Sequence, residues 1–130
     1  MKILFFIFLI NLNLFADHIN WYPDFEDAHT QALKLNKKVM VLLIKKECQE
    51  CDDALKNAFM NQDYIAKVNE KFVSVIITKG QKNSYPIEML YTNEYPALFF
   101  LDKFELFSCD VLSGRITPKS LKTHLDKCSD

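Results

Sequence analysis

The sequence predicts an α/β fold in which a central mixed sheet of four to five strands is flanked by helices. Short apolar runs at 39–44, 72–78 and 97–101 have strand length and lie between polar segments. Between them come stretches whose apolar residues recur at helical spacing. The chain of 130 residues holds 11 Phe, enough apolar bulk for one packed core, while 2 Gly and 4 Pro leave no linker, repeat or low-complexity tract. A formal net charge of −1 carries no nucleic-acid footprint.

The first residues read as a targeting segment. Lys2 gives a positive start, residues 3–15 are apolar except for Asn11 and Asn13, and small Ala16 stands at a cleavage position. A membrane span needs about 20 apolar residues, more than this stretch offers. Residues 1–16 are therefore read as a secretory signal peptide, with an uncleaved anchor as the alternative, and residues 17–130 as the mature domain.

In the mature chain, Trp21 and Tyr22 are read as packing its N-terminus. Phe25, Ala28, Ala32 and Leu33 set a helical stripe that Asn36-Lys37-Lys38 ends before the strand 39–44, and Lys34, Lys37 and Lys38 read as a solvated helix end. Cys51, Leu55, Ala58 and Phe59 keep the helical period, Asn61-Gln62-Asp63 breaks it, and Tyr64, Ile65 and Val68 resume it. After the strand 72–78 come a polar loop at 79–83, a short helix at 86–91 and the strand 97–101, with Phe99 and Phe100 on opposite faces. A turn at Asp102-Lys103 leads to a strand at 105–112, and Gly114 with Thr117-Pro118 introduces a last helix carrying Leu121, Leu125 and Cys128. The predicted order is αβααβαββα.

Cys48-Gln49-Glu50-Cys51 sits where the first long strand gives way to a helix. A cysteine at a helix start faces free backbone N–H groups and the positive end of the dipole, which favour a thiolate. Cys51 falls on the apolar stripe with Leu55. The expected roles are an exposed attacking Cys48 and a shielded Cys51 that resolves the mixed disulfide. The bland alternative is a static disulfide or half of a metal site.

This strand and cysteine pair, followed 45 residues later by Tyr95-Pro96 ahead of an apolar strand, resembles the thioredoxin-like superfamily. The stretch from Trp21 through Asn36-Lys37-Lys38-Val39 to Tyr95-Pro96-Ala97 is similar to its small secreted bacterial members. The resemblance implies a thioredoxin fold, Cys48 as nucleophile, Cys51 as resolving cysteine and a cis Pro96 beside them. Proline lacks an N–H, and the backbone edge around Tyr95 is expected to pair with an extended substrate. The implied activity is periplasmic thiol–disulfide exchange on cysteine-containing protein substrates, with a redox partner protein and no cofactor. A monomer is expected, without metal or nucleic acid, and without a membrane once the signal is removed. Two other functions stay open: a redox-inert module binding unfolded or partner chains, and a reductant in cytochrome c maturation.

The sequence departs from the familiar pattern at three places. Glu47 replaces the usual tryptophan, Gln49-Glu50 replaces Gly-Pro, and Leu42 stands where a buried acid is expected. Glu47 and Glu50 place negative charge near the thiolate and raise its pKa, partly opposed by Lys45 and Lys46. A reduced form without strong stabilisation leans toward reductase or isomerase work.

Cys109 and Cys128 are a separate question. Phe107, Cys109 and Val111 alternate along the predicted strand, and Cys128 shares a helix face with Leu121 and Leu125, so the two sulfurs are candidates for a structural disulfide. Such a bond would contribute about 3 kcal/mol in the chain-entropy model. Two free thiols, or an electron relay to the first pair, remain alternatives; a four-cysteine zinc site is disfavoured by the spacing. His29 and His124 read as partly buried structural histidines rather than ligands.

Overall fold

The computed structural model describes residues 18–81, 85 and 89–129. The expected signal peptide and residues 86–88 of the expected short helix lie outside the described residues. The sheet is built around β2 (Lys38–Ile44), whose five interior residues are all buried. Met40 and Leu42 face one core while Val39, Val41 and Leu43 face the other. A strand apolar on both faces belongs at the centre of a sheet covered on both sides.

β2 pairs in parallel with β3 (Phe72–Thr78) in a register running from Lys38↔Phe72 to Ile44↔Thr78. On its other side it pairs antiparallel with β4 (Ala97–Leu101), from Val39↔Leu101 to Leu43↔Ala97. β1 (Trp21–Tyr22) adds in parallel to β3, and β5 (Leu112–Ser113) adds antiparallel to β4. The order is β1-β3-β2-β4-β5. Trp21 and Tyr22 thus form an edge strand as well as packing on the two cores.

Among the described residues, four α-helices cover the sheet. α1 (Phe25–Leu35) lies on the Val39–Val41–Leu43 face through Phe25, Ala28 and Ala32. Leu33, expected on that stripe, is exposed, because its position falls one residue beyond the arc that reaches the sheet. Asn36 closes the helix in the left-handed conformation, φ 54°. The opposite face carries α3 (Gln62–Lys71), α4 (Pro118–Cys128) and, through Ala54 and Ala58, the continuation of α2 (Gln49–Asp53). α4 starts with a capping box in which the Thr117 hydroxyl accepts from the Ser120 N–H and the Ser120 hydroxyl accepts from the Thr117 N–H. Phe99 and Phe100 do fall on opposite faces. Among the described residues, no helix is long and apolar enough to cross a membrane.

The strand expected at 105–112 is mostly absent. The Asp102 carboxylate accepts from the N–H groups of Phe104 and Leu106, at 2.8 and 3.1 Å, and curls the chain into a tight loop. Glu105 within it has φ 65°. Only a bridge at Phe107 and the pair Leu112–Ser113 rejoin β-structure. The expected shared face fails with it: Phe107 stacks on Phe99 of one core, whereas Cys109 packs against the other.

α2 continues as a π-helical turn, Ala54–Ala58, closed by the Phe59 N–H donating to the Ala54 carbonyl at 3.0 Å. The wider turn is pinned from α3, where the Tyr64 hydroxyl donates to the Ala58 carbonyl at 2.6 Å. Burial, followed by the nearby Asp63 carboxylate, raises the Tyr64 pKa above 10.0. The folded protein therefore holds this proton longer than the unfolded chain. That contribution is complete below pH 10.0 and is lost as pH rises through the folded-state value. Tyr64→Phe is expected to cost about 1 kcal/mol at neutral pH, since it removes the hydroxyl that donates to the Ala58 carbonyl. Denaturant titrations across alkaline pH check it: the variant should lose less stability above pH 10.0 than the parent.

Candidate functional site

The site forms where β2 runs out. The Ile44 carbonyl accepts the Lys79 N–H at 2.7 Å, the last tie between β2 and the chain beyond β3. Lys45, Lys46 and Glu47 then cross the sheet end as an exposed loop. Glu47 takes φ 53°, a left-handed conformation that costs a side chain bearing a Cβ about 1–2 kcal/mol. This turn of the backbone delivers Cys48 in extended geometry, φ −122° and ψ 103°, as the N-cap of α2.

The cysteine pair is oxidised. Cys48 Sγ and Cys51 Sγ are bonded, with Cα atoms 5.2 Å apart. The Cys48 sulfur also accepts the Cys51 backbone N–H at 3.1 Å, the bond that a serine or aspartate cap makes with oxygen. The expected contrast of an exposed Cys48 and a shielded Cys51 needs correction, since Cys48 is 5% exposed and Cys51 2%. The capping geometry explains it, because the sulfur that caps the helix is folded back over the first turn.

Pro96 follows a cis peptide bond from Tyr95, and its carbonyl accepts the Gly114 N–H at 2.9 Å, which ties this loop to the end of β5. No backbone hydrogen bond reaches Tyr95 from the other described residues. Its ring is faced by two ammonium groups, Lys45 Nζ at 5.3 Å and Lys79 Nζ at 5.6 Å from the centroid. These three residues, with Leu43, Tyr85 and Tyr91, line a groove of about 390 Å³. Glu50 instead lines a second groove, with Asp53 and Asn57 of the active-site helix and Arg115 from the segment before α4. Arg115 and Lys79 escaped the sequence reading, because only the sheet order brings positions so far along the chain beside residues 45–50. Leu42 is fully buried in the apolar core, so its position supplies no proton-carrying group.

The second cysteine pair is also bonded, Cys109 to Cys128, with Cα atoms 5.6 Å apart and 19 residues of sequence separation. His29 takes no part in either site. Its Nε2 meets the Lys103 carbonyl at 2.8 Å and its ring stacks on Phe25, so it joins α1 to the loop after β4.

The thioredoxin-like family profile matches residues 20–103. Among solved structures the chain is similar to a thioredoxin from Thermus thermophilus, with TM-score 0.71 and 16% identity over 85% of this chain and 86% of that one. A DsbH oxidoreductase gives TM-score 0.67 and 13% identity over 88% and 87% of the two chains. The DsbD c-terminal domain of Neisseria meningitidis, in its oxidised form, gives 0.64 and 13% over 83% of this chain and 98% of that one. At these identities the likeness is one of fold. No curated protein matches the sequence. With the five-stranded mixed sheet, the Cys48–Cys51 pair on a capped helix and a family match over most of the described chain, the protein belongs to the thioredoxin-like family and has the fold and motif of a thiol–disulfide oxidoreductase.

Proposed function

We propose that this protein is a periplasmic thiol–disulfide oxidoreductase that exchanges disulfides with cysteine-containing protein substrates and is recharged by a redox partner protein, on the reducing or isomerising side. The observation that carries the reading is the Cys51 N–H donating to Cys48 Sγ at 3.1 Å. A donor already placed on that sulfur stabilises it whenever it carries charge, and charge-assisted bonds are about twice as strong as neutral ones. Both cysteine pairs are bonded, as in proteins of oxidising compartments, and the signal-like residues 1–16 point the same way.

In the reductive direction the Cys48 thiolate attacks one sulfur of a substrate disulfide, forming a mixed disulfide and releasing the other substrate sulfur as a thiolate that takes a proton from solvent. The Cys51 thiol loses its proton and attacks Cys48 Sγ, which regenerates the intramolecular bond and frees the second substrate thiol. With Leu42 in place of an acid, the Cys51 proton passes to water or to the departing thiolate. The backbone beside Tyr95 receives an extended substrate segment, and Pro96 shapes that edge.

Cys51→Ala should accumulate mixed disulfides with substrates, visible on non-reducing gels, while Cys48→Ser accumulates none. Equal trapping by Cys48→Ser would show the assignment of Cys48 as the attacking cysteine to be wrong. Replacing Cys109 and Cys128 by alanine should lower stability by about 3 kcal/mol, from the loop they close, and leave insulin reduction nearly intact. Lost reduction at unchanged stability would instead make that pair an electron relay.

Glu47 and Glu50 remain the groups proposed to hold the Cys48 pKa up. Glu47→Gln with Glu50→Gln should lower that pKa and raise the pair's reduction potential by roughly 10 to 30 mV, where 30 mV corresponds to about 1.4 kcal/mol for two electrons. Thiolate absorbance against pH reads the first half and a glutathione titration the second. An unchanged pKa would remove both residues from the tuning of sulfur.

A further inference from the structure

The second cysteine pair has a third member. A ring nitrogen of His124 and the sulfurs of Cys109 and Cys128 all lie within 4.8 Å of one another. His124 and Cys128 stand four residues apart on α4 and so share one face, while Cys109 reaches them from the loop before β5. We propose that reduction of the Cys109–Cys128 disulfide converts this corner of the molecule into a Cys-His-Cys site for a zinc ion. By sequence alone His124 reads as structural, and the cysteine spacing disfavours a zinc site of four cysteines.

The local chemistry fits a borderline-soft cation. Zn²⁺ takes thiolate and imidazole ligands in a tetrahedron, with Zn–S near ~2.3 Å, which puts two ligating sulfurs about 3.8 Å apart. Reduction releases the sulfurs from the S–S bond to open to that edge length. One nitrogen of the histidine is already committed. His124 Nε2 lies 2.8 Å from the Asp110 carbonyl, an oxygen that only accepts, so Nε2 carries the proton and Nδ1 keeps its lone pair. A backbone carbonyl holding one ring N–H while the other nitrogen binds metal is the usual support for a ligating histidine. His124 also packs against Phe100, its ring centroid 5.7 Å away, which limits its rotation. Asp110 is engaged with Lys127 at 3.2 Å, and the half-exposure of Cys109 and His124 leaves the fourth position to water.

The balance of the step is simple. A dithiol reduces the disulfide, giving two cysteine thiols and an oxidised dithiol; binding of Zn²⁺ then displaces the two thiol protons to solvent. The site is thus redox-gated, holding metal only when the bond is open. It does not depend on the activity assigned to Cys48 and Cys51.

The test uses the full chain with Cys48→Ser and Cys51→Ser, so that the first pair cannot bind metal, reduced with a trialkylphosphine and titrated with Co²⁺ and then Zn²⁺. One equivalent of Co²⁺ should bind, with thiolate-to-cobalt charge-transfer absorption and the intense visible bands of a tetrahedral ion, and Zn²⁺ should displace it. The oxidised protein should bind neither ion. His124→Gln, with the disulfide available for folding before reduction, should weaken binding by about tenfold or more. Absence of a stoichiometric complex, or undiminished affinity in His124→Gln, overturns the proposal. If reduction alone unfolds the chain, added Zn²⁺ should restore its far-ultraviolet circular dichroism, and failure to restore it overturns the proposal equally.

Discussion

The parallel pairing of β2 with β3 fixes nearly everything else. Its seven-residue register, Lys38↔Phe72 to Ile44↔Thr78, holds a strand that is apolar on both faces and can rest only between two covered layers. One layer is α1; the other is α3, α4 and the π-helical turn after α2. Because the side chains alternate, a slip of one residue would exchange Met40 and Leu42 with Val39 and Val41 across the sheet and misfit both cores. The same register decides where β2 ends, and therefore where Cys48 begins a helix. The cysteine pair is set at the end of the buried central strand of the sheet.

At that edge the backbone supplies much of the electrostatics. A sulfur occupying an N-cap position takes the Cys51 N–H that an oxygen would otherwise take. The buried acid of the familiar pattern is replaced by Leu42 within the core, and acidic side chains sit instead on the exposed surface at Glu47 and Glu50. Exposed charges are screened by salt and solvent. The other wall differs in character: Lys45 and Lys79 both approach the Tyr95 ring, giving the backbone edge beside Pro96 a basic, aromatic border. The site is asymmetric in charge.

The elements most legible in sequence were those whose residues decide their own environment. The runs forming β2, β3 and β4 are buried on both faces and read as strands without any partner being known. Asn61 and Thr117 announce their helices because each supplies a capping oxygen. The misreadings arose where distant parts of the chain decide. Residues 105–112 alternate like a strand, yet the Asp102 carboxylate captures two local N–H groups and turns the segment into a loop. Trp21-Tyr22 is a strand only because β3 offers it an edge. At the site, the cysteines and Pro96 stood out as residue types, while Lys79 and Arg115 had no local signal. The near-equal burial of Cys48 and Cys51 follows from a cap geometry that spacing alone does not fix.

Equilibration of the Cys48–Cys51 pair with a series of dithiol and glutathione redox buffers tests this account most directly. A reversible two-electron transition is expected, with a potential between about −270 and −180 mV, the range spanned by thioredoxin and protein disulfide isomerase. A pair that does not exchange with the buffer, or one with a potential near −120 mV, would contradict a capped, modestly stabilised thiolate working on the reducing or isomerising side.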